Sequence, residues 1–299
     1  MFMLHDYLLA NKFVSTIAAF IALTAATGNF VLFLTIIRSK QIHSICSALI
    51  AIQAFAEVIY PLSILSFLFV SYAEILTLRR YCLWWQQIPL AAANVSIAMM
   101  PLVALDRFIA LVVPIWYQRL NRLVYISALM TFPIVFNLIC AYLGYAYTND
   151  DLVVCRLPDG YRSTAIYFWV GAQIVIAFVV LILYFLIKFT LKARKGKIKD
   201  VTSATNKSLQ IIFFVYVCGY ALFAVINFGS FFVHDYYLFL TIGSISSSTA
   251  LLNVAVPVIV LYNNSKLYRR EIQATLRLCL GIKSVTHVQV AWMSTATAP

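Results

Sequence analysis

Seven long stretches of this sequence carry almost no charged side chain. Six contain no Asp, Glu, Lys or Arg at all: residues 13–37, 81–105, 123–149, 163–187, 208–234 and 236–265. A seventh, residues 41–73, contains one acid, Glu57. A helix crosses the hydrocarbon core of a bilayer with about 20 apolar residues, so each stretch is long enough to span a membrane. The pattern predicts an all-α membrane protein, a seven-transmembrane helix bundle.

Composition excludes the soluble classes of protein. The chain is 63% hydrophobic and only 11% charged, with a mean hydropathy of +0.92. Soluble globular chains carry about 25% charged residues. The net charge of +12 could suggest a nucleic-acid partner. Its distribution along the chain favours another explanation.

Lys and Arg concentrate in alternate connections between the predicted spans. If the N-terminus is extracellular, 17 of the 22 basic residues lie in cytoplasmic segments and five in extracellular ones. Positive residues are retained on the cytoplasmic side of a membrane. We therefore predict a multi-pass protein of the plasma membrane with its N-terminus outside and its C-terminus in the cytoplasm. The charge then requires no nucleic acid.

These spans divide the chain into four segments. We predict an extracellular N-terminus over residues 1–12, the bundle over 13–262, an amphipathic helix over 263–281 and a disordered cytoplasmic tail over 282–299. The short eighth helix is capped by Ser265 and ended by Gly281. One face of it carries Tyr268, Ile272, Thr275, Leu276 and Cys279. A basic amphipathic helix of this kind lies on the surface of the lipid bilayer.

The third span carries the most informative motif. Cys82 stands 25 residues before Arg107, and the segment ends Asp106-Arg107-Phe108, followed by Pro114 and Tyr117. A chance charge pair at a helix end is the plainer interpretation of Asp106-Arg107 alone. The whole arrangement resembles the third helix of rhodopsin-like G protein-coupled receptors.

Spans one and two extend this resemblance. Gly28-Asn29 and Glu57 stand where the superfamily has its Gly-Asn pair and an intramembrane acid, here Glu in place of the usual Asp. Residues 46–50 and 53–57 are similar to the nematode serpentine chemoreceptor class SX. The resemblance implies a chemosensory receptor, not an enzyme, that transmits binding of an extracellular ligand to a heterotrimeric G protein.

The resemblance also assigns roles in activation and in coupling to the G protein. Asn29, Glu57, Asp106 and Arg107 would form the activation switch, with Arg107 paired to Asp106 in the inactive state. G protein contacts are expected at Arg107, Pro114, Tyr117, Lys195 and Lys197. The basic loop of Lys195 and Lys197 would look the same in any multi-span protein, so a solvated positive-inside loop is an equal alternative. Whether Glu57 binds sodium or is protonated stays open. Cys279 is a palmitoylation candidate.

Two cysteines are predicted to form a disulfide. Cys82 and Cys155 are the two of the six cysteines that the predicted topology exposes to the oxidising side of the membrane. The receptor resemblance implies the same bridge.

Polar residues in the outer halves of the spans predict a ligand site. Gln86, Leu90 and Asn94 recur at helical spacing on span three, and Gln87 is adjacent. The full set of candidate ligand contacts is Gln86, Gln87, Leu90, Asn94, Trp169, Gln173, Asn227 and Ser246. Such amides can instead simply bond neighbouring helices. Pro89 stands where amine receptors of the superfamily have an Asp, which disfavours an amine. A small molecule and a short peptide both remain open.

Other functions find less support. The sequence has no catalytic motif, no metal-ligand spacing, and no Lys in residues 236–265 for a retinal Schiff base, so no cofactor or metal is expected. A multi-span transporter or ligand-gated channel is the alternative, although Glu57 is the one acid well inside a span. Spans five to seven lack the superfamily's usual Trp and Pro positions. The activation mechanism there is therefore not carried over.

Overall fold

The computed structural model describes residues 4–193, 200–230 and 232–281, and these residues are mostly helical. The helices are α1 Leu4–Arg38, α2 Ile45–Ile59, α3 Leu62–Ala73, α4 Arg79–Val112, α5 Pro114–Gln118, α6 Arg122–Ala146, α7 Thr164–Ala193, α8 Asp200–Ser230, α9 Tyr236–Asn264 and α10 Lys266–Cys279. Lys195 and Lys197 lie outside the described residues, as does the tail over 282–299.

Six stretches of the described chain are long and apolar enough to cross a membrane. They are Asp6–Arg38, Ile45–Ala73, Arg79–Val112, Arg122–Ala146, Thr164–Ala193 and Thr241–Asn264. In α8 the apolar stretch is shorter, Gln210–Phe223. These stretches match six of the seven predicted spans, and α8 lies where the remaining one was predicted.

The second span is broken in the middle. α2 ends at Ile59 and α3 begins at Leu62, with Tyr60 and Pro61 between them. A proline has no backbone N–H and its ring clashes with the carbonyl four residues earlier. Pro61 therefore interrupts the helical hydrogen bonds at this depth, and the second span, Ile45–Ala73, consists of two helices.

α4 is the central helix of the bundle. It packs against α2, α6, α7 and α8 and is the most buried of the candidate spans. Its last helical residue is Val112, and Pro114 then opens the short α5. This end agrees with the stop that Pro114 predicts. α4 thus runs from the disulfide to the Asp106-Arg107 pair, and we call the two ends of the bundle the disulfide end and the Arg107 end.

The disulfide end carries a small two-stranded sheet. β1 Thr77–Leu78 pairs antiparallel with β2 Leu152–Val153. Strands of two residues are too short to give an alternating pattern, so the sequence did not predict them. Cys82 and Cys155 are bonded, with a Cα–Cα distance of 5.3 Å, and the predicted disulfide is confirmed. A 3₁₀ turn, Leu157–Gly160, follows directly.

The two terminal helices contact the bundle. α1 begins at Leu4, so most of the segment expected as the N-terminal extension is helical, and Tyr7 and Asn11 are buried. α10 is capped by the Ser265 side chain, which accepts from the Tyr268 backbone N–H. The Tyr268 hydroxyl lies 3.2 Å from the Ser47 hydroxyl on α2. This contact attaches α10 to the Arg107 end.

Candidate ligand cavity and Arg107 cluster

A cavity of about 880 Å³, including the space open at its mouth, lies in the half of the bundle nearer the disulfide. Its wall is mostly apolar and aromatic, with side chains from α2 to α4 and from α7 to α9. The polar members of the wall are Glu57, Ser96, Arg156, Gln173, Ser244 and Asn253. An apolar pocket with a few convergent polar groups is the usual form of a small-molecule site.

The loop after the disulfide forms one side of this cavity. Arg156, Leu157 and Pro158 line it. Arg156 makes an ion pair with Asp159 at 2.8 Å and donates to the Ser244 hydroxyl of α9 at 2.8 Å. This segment is therefore attached to α4 through Cys155 and to α9 through Arg156.

Arg79 at the start of α4 fixes the same loop from outside. Its guanidinium donates to the backbone carbonyls of Asp159 and Tyr161 at 2.8 and 3.1 Å. Nearby, Asp151 accepts from Arg162 at 3.1 Å. A hydrogen bond from Asn149, with the charges of Arg162 and Arg79, lowers the pKa of Asp151. The loop therefore forms a fixed roof, defined here as residues 155–161.

Glu57 lies at the deep side of the cavity. Its Oε1 accepts from Gln53 Nε2 and from Ser96 Oγ, both at 2.8 Å. The side chain is almost fully buried, with 2% of the residue exposed. Its Oε2 has no hydrogen-bond partner among the described residues.

Glu57 also borders a second, smaller cavity of about 330 Å³ that extends to Asn29. Asn29 Nδ2 donates to the carbonyls of Val254 at 2.9 Å and Ala25 at 3.1 Å. Asn29 therefore joins α1 to α9. Met100 lines both cavities beside Glu57. The two proposed switch residues of spans one and two thus border one small internal space.

Two of the residues predicted for ligand contact line the larger cavity. Trp169 and Gln173 stand one turn apart on α7, and both are buried. Trp169 Nε1 donates to Asn94 Oδ1 at 2.8 Å, and Asn94 Nδ2 donates to Asn137 Oδ1 at 3.0 Å. Asn94 therefore orients the indole and is not itself on the cavity wall. Gln173 Nε2 has no hydrogen-bond partner in the described part of the chain.

The other predicted contacts lie outside the cavity lining. Gln86 Nε2 donates to the Cys155 carbonyl at 3.1 Å, beneath the disulfide. Gln87 accepts from the Tyr145 hydroxyl at 3.2 Å. Leu90 is buried in an apolar cluster, and Ser246 donates to the Phe223 carbonyl at 3.5 Å. The side chain of Asn227 lies outside the described residues.

Several cavity residues were missed at the sequence level. Ser96 is a small hydroxyl within an uncharged apolar span, and its spacing did not mark it as part of a site. Asn253 is an amide within an apolar span, and that polarity was the signal available for it. For Arg156 the signal was its place next to Cys155, whereas Ser244 is one of several serines on its helix.

The Asp106-Arg107 pair forms a closed cluster with Tyr117 at the Arg107 end. Asp106 Oδ2 accepts from Arg107 NH2 at 2.6 Å and from its Nε at 3.0 Å. Asp106 Oδ1 accepts from the Tyr117 hydroxyl at 2.7 Å. Both carboxylate oxygens are therefore bonded, and the Asp106 side chain is 0% exposed.

Pro114 positions Tyr117 for this contact. It occupies the first turn of α5, where a missing N–H costs nothing, and so turns the chain back towards α4. Burial raises the pKa of Tyr117 well above its ordinary value, so the phenol keeps its proton and donates to Asp106. The ring also meets Tyr125 of α6 edge to face, with centroids 6.2 Å apart.

Two further residues with predicted roles, Pro114 and Cys279, are exposed. No group of three or more His, Cys, Asp or Glu side chains that could hold a metal ion occurs among the described residues.

Comparison with known families identifies the chain. The family model of the serpentine type 7TM GPCR chemoreceptor Srsx matches residues 22–276 of the 299. A comparison with curated proteins gave no significant match. The match begins within α1 and ends within α10, so it includes part of the first candidate membrane stretch and all of the others. It confirms the class that the first three spans were predicted to resemble. The chain belongs to the Srsx family of serpentine seven-transmembrane chemoreceptors.

Proposed function

We propose that this chain is a chemosensory receptor of the plasma membrane that binds a small extracellular molecule in the cavity described above and activates a heterotrimeric G protein at the Arg107 end. The disulfide end faces the exterior in this proposal. Orientation is supported by the excess of Lys and Arg on the Arg107 side.

One observation carries the proposal: one continuous helix, α4, bears part of the ligand cavity and the Asp106-Arg107 pair. Ser96 lines the cavity, and Asp106 follows it by ten residues. At 1.5 Å per residue, the two sites are roughly 15 Å apart along one helix. A shift of α4 by a bound ligand therefore moves both.

The closure of the cavity favours a small molecule over a peptide. Its wall is mostly apolar with a few polar groups, which is the usual form of a small-molecule site. The roof over residues 155–161 is held by a disulfide, an ion pair and backbone hydrogen bonds. A peptide of several residues would have to displace these contacts. A compact ligand would not.

Activation follows from differential affinity. A ligand shifts a two-state equilibrium only as far as it binds one state more tightly than the other. In the resting state Arg107 is held by Asp106 and Tyr117. In the active state we expect Arg107 to leave this cluster and contact the G protein, with Pro114 and the basic loop of Lys195 and Lys197 beside it.

The decisive experiment is a ligand screen on cells that express the full chain, with G protein nucleotide exchange as the readout. An active compound should lose its effect in Arg107→Ala while surface staining is unchanged. Arg80→Ala is the matched control, because Arg80 forms an exposed ion pair with Asp150 at the opposite end. This control should respond like the wild type.

Two results would contradict the proposal. Surface detection of a C-terminal tag on intact cells would reverse the orientation. Ligand-independent solute flux through the purified protein that persists in Arg107→Ala would favour the transporter or channel alternative.

A further inference from the structure

We propose that the cavity recognises a small organic amine, whose ammonium group binds Glu57 while its apolar body packs against the aromatic wall. This inference rests on the proposed function, since it names the ligand class of the same cavity. It replaces the expectation, drawn from Pro89, that an amine is disfavoured.

The carboxylate of Glu57 can accept more hydrogen bonds than it receives. One of its oxygens is satisfied by Gln53 and Ser96, and the other has no partner among the described residues. No ion pair to this carboxylate occurs there either. A buried charge at membrane depth is expensive unless it is paired. Glu57 lines the cavity, so a ligand cation can supply the missing partner.

Two amide side chains on the same wall each have a nitrogen atom without a hydrogen-bond partner among the described residues. Gln173 is 4% exposed and Asn253 is 8% exposed, and the amide nitrogen of each has no partner in the described chain. An amide can turn to present its oxygen instead. An ammonium has three donors, so one bond to Glu57 leaves two for such oxygens.

The formal charges on the cavity wall also favour a cationic ligand. The other strongly basic or acidic side chain on the cavity wall is Arg156, and Asp159 neutralises it at 2.8 Å. The remaining formal charge belongs to Glu57. Within the described part of the wall, a carboxylate at Glu57 therefore leaves a charge that a cationic ligand can balance, and no unpaired basic group is left for an anionic ligand.

The body of the ligand is defined by the rest of the wall. Tyr60, Phe67, Trp169 and Phe223 line the cavity together with aliphatic side chains. Aromatic faces attract cations as well as apolar groups. The chemistry thus fits a primary amine on an aromatic or short aliphatic skeleton.

Binding can be measured on the purified full-length receptor without any G protein, which separates this inference from the proposed function. The probes are benzylamine and hexylamine, each compared with the alcohol of the same skeleton, benzyl alcohol and 1-hexanol. The readout is the thermal unfolding midpoint as a function of probe concentration. We expect the amines to raise it in a saturable manner and the alcohols to leave it unchanged.

Two variants locate the contact. Glu57→Gln should raise the dissociation constant of the amines about thirtyfold or more, because truncating one member of a buried charge pair is costly. Asp150→Asn, an exposed acid paired with Arg80, should bind as the wild type does. If Glu57→Gln does not fold, Gln173→Met tests the same pocket and should weaken amine binding without altering the Glu57 contacts.

Three outcomes would overturn the inference. Equal binding of alcohols and amines would indicate a neutral carboxyl group. A sodium-induced shift that Glu57→Gln removes and amines do not compete with would assign Glu57 to an ion. Wild-type amine affinity in Glu57→Gln or in Gln173→Met would place the amine elsewhere. A receptor that binds amines but gives no nucleotide exchange would contradict the proposed coupling and leave this inference intact.

Discussion

Two buried carboxylates in this bundle, those of Asp106 and Glu57, differ in how completely they are hydrogen-bonded. Asp106 has both oxygens bonded, one to Arg107 and the other to Tyr117. Glu57 has one oxygen bonded and one without a partner in the described chain. A saturated group stabilises the arrangement that surrounds it, whereas an unsaturated one favours whatever molecule completes it. This difference fits the proposed function, in which the Arg107 end maintains a resting state and the cavity end receives the signal.

The largest expected effect comes from breaking the saturated end. Asp106→Asn removes the charge that balances Arg107, whose side chain is only 15% exposed. Losing one partner of a buried pair costs about 3 to 5 kcal/mol. We expect a lower unfolding midpoint and a raised nucleotide-exchange rate without ligand, measured in membranes at equal receptor density.

A graded variant tests the same cluster. Tyr117→Phe removes only the hydroxyl that donates to Asp106, a loss of about 1 kcal/mol. Its ligand-independent exchange should fall between those of the wild type and Asp106→Asn. If both variants are silent without ligand, the cluster does not restrain activation.

The second prediction concerns the roof of the cavity. Replacing both Cys82 and Cys155 with Ser removes the disulfide, which joins two residues that are 73 positions apart in the sequence. The loop that forms the roof is then no longer attached to α4. Removing a native disulfide typically costs 2 to 5 kcal/mol. We expect a lower unfolding midpoint and weaker ligand binding. Cys218→Ser, at an exposed free cysteine, is the control. Unchanged ligand affinity in the double variant would show that the roof does not shape the site.

The third and smallest effect concerns the orientation of Trp169. Asn94→Leu removes the acceptor of the indole N–H and one partner of Asn137. Hydrogen bonds between membrane helices contribute about 1 kcal/mol, so ligand affinity should fall roughly fivefold. Gln87→Leu also removes one interhelical hydrogen bond, to Tyr145, but away from the cavity. A similar loss of affinity in both variants would indicate general destabilisation.

The placement of charged residues predicted most of the membrane spans. A span needs a long run without charged residues, and such a run can be read directly from the sequence. The disulfide and the family followed from Cys82, Cys155 and the Asp106-Arg107 motif. The break within the second span was not predicted, because a proline inside so apolar a run does not by itself tell whether the helix bends or divides.

The cavity was predicted less well, and the amides show why. Asn94 and Gln173 are chemically alike and both lie on buried faces of apolar helices. Asn94 bonds Trp169 and Asn137, whereas Gln173 Nε2 has no partner in the described chain. Spacing along a helix gives the face on which a residue lies. It does not give the side chain that a neighbouring helix presents there, and that partner decides whether an amide is structural or available.

The proline that divides the second span stands four residues after Glu57. Lacking an N–H, Pro61 cannot donate to the backbone carbonyl of Glu57, so the helical hydrogen bond that is missing at the joint is the one to the acid's own carbonyl. In the proposed mode of binding, a ligand held by that carboxylate would contact the second span beside its bend. A change of angle there would move α3 relative to α2, so that one atomic-scale contact would displace half of the span.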